Sequence, residues 1–316
     1  MLEGNVPQAT FQGHLVTNAV DLRAMLQRRY DLHTHTTASD GSLSPTALVQ
    51  HAKDCEVDVL AVTDHDITLG LSEARDAARQ CGIEFVPGIE ISVTWSGQTL
   101  HILGLHIDPL APDLLLGLES IHNFRQERAV EIGRRLDKAG IAGSYAGAMQ
   151  YAGGKIISRT HFARFLVAKG YAKDLRQVFK RYLVHNKPGY VPGKWVSLEQ
   201  AVNWIKLAGG LAVIAHPARY KYSATRLRQL LEEFRDLGGV GLEVVSGSHS
   251  ADDATRFAQL ANKMGFYASR GSDYHGPEQA YADPRRLAQL PPSCTPLWES
   301  VAWHLCVQSQ QNTQVK

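Results

Sequence analysis

The chain has 316 residues, 44% hydrophobic and 20% charged, the composition of an ordinary globular protein long enough for one large domain or two modest ones. No apolar run approaches the roughly 18 residues of a membrane span, and residues 1–29 lack the basic-then-apolar order of a secretory signal. Four scattered cysteines without a CxxC pair argue against a disulfide scaffold or a thiolate zinc site and for a reducing cytoplasm. The net charge of +2 hides an asymmetry: residues 121–194 hold 15 Lys/Arg against 4 Asp/Glu, while the remainder is acidic.

In chain order, residues 1–29 form an extension of no assignable role, with a short helix over Leu22–Leu26 as one option. From Tyr30 the runs YDLHTH, VDVLAVTDHD, IEFVPGIEIS, TLHILGLHID, GLAVIAHP, GVGLEVVSG and GFYASRGSDYH are rich in Val, Ile and Leu, as strands buried on both faces of a parallel sheet are. Helix signals fall between them. Ser44-Pro45 supplies an N-cap and a first-turn proline; Ser72 opens a segment ending at Gly82. Ser197 with Gln200 forms a capping box closed by Gly209, and Ser250 with Asp253 opens a segment closed by Gly265. Strand–helix alternation predicts βα units and an α/β barrel rather than a doubly wound sheet. Between about Pro109 and Val196 helical pieces such as EIGRRLDKAG and HFARFLVAKG take over, and they carry most of the excess positive charge. The expected organisation is a barrel over 30–110 and 197–290, a basic, mostly helical insertion over 111–196 beside the active-site face, and a C-terminal segment over 291–316.

The polar residues in these runs are not scattered. His33 and His35 follow the first, Asp64 and His65 end the second, Glu90 ends the third, His216 the fifth, and Asp273 with His275 the last; His101 sits early in its own run and fits less well. The C-terminal strand ends of a parallel barrel open onto one face, where such folds place their chemistry. His33, His35, Asp40, His65, Glu90, His101, His216, Asp273 and His275 make nine candidate ligands. Imidazoles and carboxylates together suit zinc, manganese or iron, and nine are too many for one catalytic ion. Two or three metals sharing bridging carboxylates fit better, close enough to clamp a phosphoryl group. His14, His51, His106, His122, His185, His249 and His304 lack such company and read as structural.

DLHTHTTASDG, AVTDHD, PGIEIS, the His101 strand, IAHP and GSDYH resemble the PHP superfamily of polymerases and histidinol phosphatase, from about Tyr30 to about Gly276. ISRTHFARFL, VFKRYL and GYVP resemble one of its subgroups, described as 5′→3′ exoribonucleases (ribonuclease AM) and 3′,5′-nucleoside bisphosphate phosphatases. The resemblance implies a distorted (β/α)7 TIM-like barrel with a trinuclear site. His33, His35, Glu90 and Asp273 would hold one metal, Glu90 bridging to a second with His101 and His216, and Asp40, His65 and His275 a third. Manganese is expected, with iron or zinc as alternatives. Asp64 is the candidate that orients a histidine or the hydroxide generated at the metals; otherwise it caps the following segment. In the insertion Arg159, His161 and Lys187 are candidates for gripping a nucleotide 5′-phosphate, and Tyr190 or Trp195 for stacking on a base. The expected substrates are nucleoside 3′,5′-bisphosphates and 5′-phosphorylated RNA, with no membrane partner and a monomer as the default. Rival readings are an amidohydrolase, a histidinol-phosphatase-like enzyme, or a non-catalytic RNA-binding module.

Overall fold

The computed structural model describes residues 28–153 and 156–314; the expected helix over Leu22–Leu26 lies outside them. Seven strands pair in chain order: β1 (Tyr30–Asp31), β2 (Val59–Val62), β3 (Glu84–Trp95), β4 (Gln98–Leu105), β5 (Leu211–Ile214), β6 (Gly241–Ser246) and β7 (Tyr267–Gly271). The two ends of the sheet meet. The Leu32 N–H donates to Arg270 O at 3.0 Å, and the His35 N–H to Tyr274 O at 3.0 Å, closing a distorted seven-stranded barrel.

The barrel is not all parallel. β4 runs antiparallel to both β3 and β5. Only Ser96 and Gly97 separate β3 from β4, both at positive φ (50° and 78°), so the chain makes a tight hairpin where a parallel crossover would need a dozen residues or more. A reversed strand begins at the rim where its neighbours end. This is why His101, early in its run, still reaches the common rim.

Helices α1 (Pro45–Asp54), α2 (Leu71–Cys81), α3 (Pro112–Lys138), α4 (Ser144–Ala152), α5 (Arg159–Ala168), α6 (Leu175–Val178, continuing as a π-turn to Leu183), α7 (Leu198–Leu207), α8 (Ala224–Asp236), α9 (Ala251–Met264) and α10 (Val301–Gln314) complete the chain. Ser44 caps α1 with Pro45 in its first turn, and capping boxes at Ser197/Gln200 and Ser250/Asp253 open α7 and α9. Ser72 does not open α2: the cap is Gly70, and Ser72 lies one residue inside.

Three apolar clusters organise the interior. Leu32, Val59, Ala61, Leu103, Leu105, Val213 and Ala215 share the barrel lumen, plugged by Leu297 and Trp303. Alternate strand residues such as Leu60, Val62, Ile89 and Ile91 face α1, α2, α7 and α8. A separate cluster built on Ala129, Ile132, Leu136, Phe162, Leu166 and Leu183 belongs to the helical insertion. Helix α3 takes part in both: Leu114, Leu118 and Ile121 pack on the barrel, and its second half on the insertion. One continuous helix thus holds the basic insertion over the barrel rim. No helix among the described residues is long and apolar enough to cross a membrane.

Candidate metal centre and phosphate cleft

All nine candidate ligands meet at that rim. His33, His35 and Asp40 come from the segment after β1, His65 from the segment after β2, Glu90 from β3, His101 from β4, His216 from the turn after β5, and Asp273 and His275 from the turn after β7. His33 Nε2 and His35 Nε2 lie 3.1 Å apart, each 3.3 Å from Glu90 Oε2 and 3.3 and 3.2 Å, respectively, from Asp273 Oδ1. The other Glu90 oxygen lies 2.8 Å from His101 Nδ1 and 2.9 Å from His216 Nε2. His65 stands between groups, Nδ1 2.9 Å from Glu90 Oε2 and Nε2 3.9 Å from Asp40 Oδ1, which is 3.3 Å from His275 Nε2.

These groups fit divalent ions. Each imidazole nitrogen lies 3.1–3.3 Å from the other three atoms, the spacing of ligands that share a first-row metal at bonds of about 2.0 Å. Glu90 Oε2, Asp40 Oδ1 and His65 Nδ1 are buried without an aligned hydrogen-bond partner, an arrangement that costs stability unless something else uses their lone pairs. Electrostatics points the same way. Burial opposes charge on Glu90, Asp273 and Asp40, yet the imidazoles around them, with Arg219 at Asp273, hold all three well below the usual carboxylate range. Burial likewise opposes protonation of His35, but Asp273 and Glu90 push it up to about 10. His216 goes the other way, to about 3, through burial and the nearby Arg219.

The rim is held from behind. Glu243, in the middle of β6, places Oε1 3.0 Å from His33 Nδ1 and accepts the His216 backbone N–H with Oε2. That fixes which His33 nitrogen faces the centre. The Asp64 carboxylate holds the loop that carries His35. It accepts from the Thr36 N–H (2.7 Å), Thr36 Oγ1 (2.6 Å) and Ser39 Oγ (2.5 Å), so it shapes the loop carrying His35 and Asp40 and caps no helix. Gly41 is required in that loop: a Cβ there would sit 2.4 Å from the His35 carbonyl oxygen. His216 (φ 28°) and Asp273 (φ 56°) occupy the left-handed region without being glycine, strain that functional sites commonly hold.

A cleft of 1710 Å³ runs from Asp40, His65, His101, Asp273 and His275 to the insertion, lined there by Arg125, Arg128 and Arg159. Arg125 is neutralised, its Nε 2.8 Å from Asp66 Oδ2 and its Nη2 3.1 Å from Ser92 Oγ. Arg128 and Arg159 have no carboxylate within ion-pair distance among the described residues. Arg128 donates twice to Val191 O (3.1 and 2.9 Å), and Arg159 lies over the Phe179 ring at 5.6 Å. Burial, then Arg159 and Arg125, lower Arg128 to about 9; burial, then Arg125, lower Arg159. Trp195 backs the cluster, its ring under Arg125 at 4.9 Å and Arg128 at 5.4 Å. The other insertion candidates sit differently. His161 Nδ1 accepts the Ser158 N–H at 3.0 Å as part of the α5 capping box, and Lys187 is exposed; neither lines the cleft.

Glu243, Arg125, Arg128 and Arg219 were missed from sequence. Glu243 left a usable signal: a carboxylate alone in the apolar run GVGLEVVSG must find a partner if the run is buried.

Residues 31–246 match the model of the PHP domain. The chain belongs to the PHP domain family. Within it, the chain is 50% identical over 272 residues to a 3′,5′-nucleoside bisphosphate phosphatase of Chromobacterium violaceum, covering 86% of this chain and 95% of that protein. It is 44% identical over 250 residues to the 5′-3′ exoribonuclease Rnm of Escherichia coli, covering 78% and 85%. A solved structure described as an amidohydrolase from Chromobacterium violaceum, with bound sulfate and no metal, superposes with a TM-score of 0.82 at 50% identity, covering 85% of this chain and 94% of that one. Membership of the PHP family accounts for the barrel and for the histidine–carboxylate rim together.

Proposed function

We propose that this PHP protein is a metal-dependent phosphoesterase that hydrolyses the phosphoester on the 3′ side of a 5′-phosphorylated nucleotide. It would act as a 3′,5′-nucleoside bisphosphate phosphatase and as a 5′→3′ exoribonuclease at RNA 5′ ends. Relatives matched over most of both chains support both activities. The observation that carries the reading is one cleft joining a histidine–carboxylate rim to two guanidiniums, Arg128 and Arg159, without a carboxylate partner.

In this reading His33, His35, Glu90 and Asp273 hold one ion, Glu90, His101 and His216 a second, and Asp40, His65 and His275 a third, with manganese as the expected metal. When bound, divalent metals neutralise the phosphate oxygens and activate water for in-line attack. The chain does the rest. Arg159 and Arg128 hold the 5′-phosphate, their planar donors matching its oxygens. Trp195 and Phe179 back the guanidinium planes. The phosphate on the nucleotide's 3′ side then faces the rim. A free 3′-phosphate leaves as inorganic phosphate; if RNA continues beyond it, the cut releases a 5′-mononucleotide and exposes the next 5′-phosphate.

An amidohydrolase reading fits less well, because the group shared between sites is the Glu90 carboxylate. The test sets adenosine 3′,5′-bisphosphate and a 5′-phosphorylated oligoribonucleotide side by side with the manganese-loaded protein. Phosphate and mononucleotide release support the reading. Turnover of amides or lactones with neither phosphoester cleaved would overturn it.

A further inference from the structure

Outside the rim, His51, Cys55 and Asp283 approach one another. His51 lies in the last turn of α1 and Cys55 is the helix's capping residue, so the spacing of four places both side chains on one face. Asp283 comes from the turn that follows the SDYH segment. Cys55 Sγ is 3.6 Å from His51 Nε2 and 3.9 Å from Asp283 Oδ1, and His51 Nε2 is 3.6 Å from Asp283 Oδ2. Tetrahedral zinc with bonds of about 2.3 Å to sulfur and about 2.0–2.1 Å to nitrogen or oxygen needs ligand separations of about 3.4–3.6 Å. The His51–Cys55 and His51–Asp283 separations match that spacing, and the Cys55–Asp283 one, through the other carboxylate oxygen, exceeds it by a few tenths of an ångström.

We propose that His51, Cys55 and Asp283 form a second cation site, distinct from the rim, for a thiophilic divalent ion of the zinc class. One thiolate, one imidazole and one carboxylate favour zinc over the hard cations magnesium and calcium. The site is half-open, with His51 22% and Asp283 14% exposed, leaving room for a fourth ligand from water. Arg285 already holds Asp283, its Nε 2.8 Å from Oδ1 and its Nη2 2.7 Å from Oδ2, but among the described residues Oδ2 takes no other hydrogen-bond donor and keeps a lone pair towards His51. Binding replaces the thiol proton: the S–H bond breaks, an S–metal bond forms, and the proton leaves to solvent.

The position gives the site a consequence. Consecutive side chains of the SDYH segment point to opposite sides. Asp273 and His275 face the rim, while Tyr274 stacks on His51 with centroids 4.9 Å apart. An ion here ties the end of α1 to the far end of residues 276–283, which carry Glu278 to its pair with Arg164 of the insertion and Tyr281 to the cleft wall.

The test exploits sulfur, which the rim lacks. The full chain, freed of metal by a chelator, is titrated with Co²⁺ or Cd²⁺ while thiolate-to-metal charge-transfer absorption is followed. The expected result is a saturable band with the amplitude of one thiolate–metal bond per chain, whatever ions the rim also takes up, lost in Cys55→Ser, weakened in His51→Gln and unchanged in Cys81→Ser. No band in the folded wild type, a band that survives Cys55→Ser, or one lost in Cys81→Ser overturns the site. None of these readouts depends on phosphoesterase activity, so the outcome is independent of the proposed function.

Discussion

The barrel rim and the insertion present charge to one cleft, but they balance it in opposite ways. At the rim every carboxylate faces imidazoles: Glu90 alone stands within 3.3 Å of five histidines. In the insertion Arg128 and Arg159 are held by a backbone carbonyl and by aromatic faces rather than by counter-ions. A cluster of lone pairs converging on common points is built for cations, and positive charge without a partner is built for an anion. In the proposed function chemistry and recognition thus have separate sources, one in strand ends and the other in the helical layer above them.

The widest separation between the two regions is expected from Glu90→Gln. Removing the shared carboxylate should cut turnover by more than about 100-fold, since even groups that only support ligands contribute about 10–100-fold. Metal content should fall with it, while binding of a 5′-nucleotide to the arginines survives; ion content and equilibrium binding, measured together, check this.

Metal removal should expose the rim's charge balance as a pH dependence. The His35 value in the fold, about 10, exceeds its unfolded value, so its ion pairs stabilise the metal-free protein fully below about pH 6.5 and this is lost as pH rises towards 10. Glu90, Asp273 and Asp40 are held low, so their contribution is present above about pH 4 and lost only on acidification. Melting temperatures of the chelated protein should therefore fall between pH 7 and 10. Those of the loaded protein should fall less, its histidines being neutral ligands.

Arg159→Ala should act on recognition alone. Loss of charge-assisted hydrogen bonds worth about 1.5–3 kcal/mol raises KM for the bisphosphate about 10- to 100-fold, with metal content unchanged. A variant that loses its metals instead would contradict the division between the regions. Ser158→Ala is the mildest probe, because Ser158 joins the two: its Oγ caps α5 and donates to Asp40 Oδ2 at 2.9 Å. About 1 kcal/mol of stability should go, with a few-fold loss of turnover that Ser158→Thr restores.

The rim was legible because its residues are chemically unusual for their positions. Histidines and carboxylates at the ends of apolar runs have few explanations, and HxH, TDHD and SDYH marked five of the rim's residues and its neighbour Asp64. His101 fitted poorly only because reversal of β4 depends on a two-residue turn, SG, whose backbone conformation the apolar pattern does not report. The arginines were hidden for a different reason. Arg125 and Arg128 lie three apart in a long helix whose charges look like an ordinary solvated face, and only tertiary packing turns that face into the cleft. Asp64 and His161 show the converse. Both stand beside chemistry-bearing residues, yet their hydrogen bonds serve a loop and a helix cap.

The most direct test is the ratio of kcat/KM for 5′-phosphoryl over 5′-hydroxyl oligoribonucleotides, measured in the wild type and in Arg159→Ala. A ratio of about 10 or more in the wild type that collapses towards unity in the variant is the expected result. Equal turnover of both substrates by the wild type would contradict it.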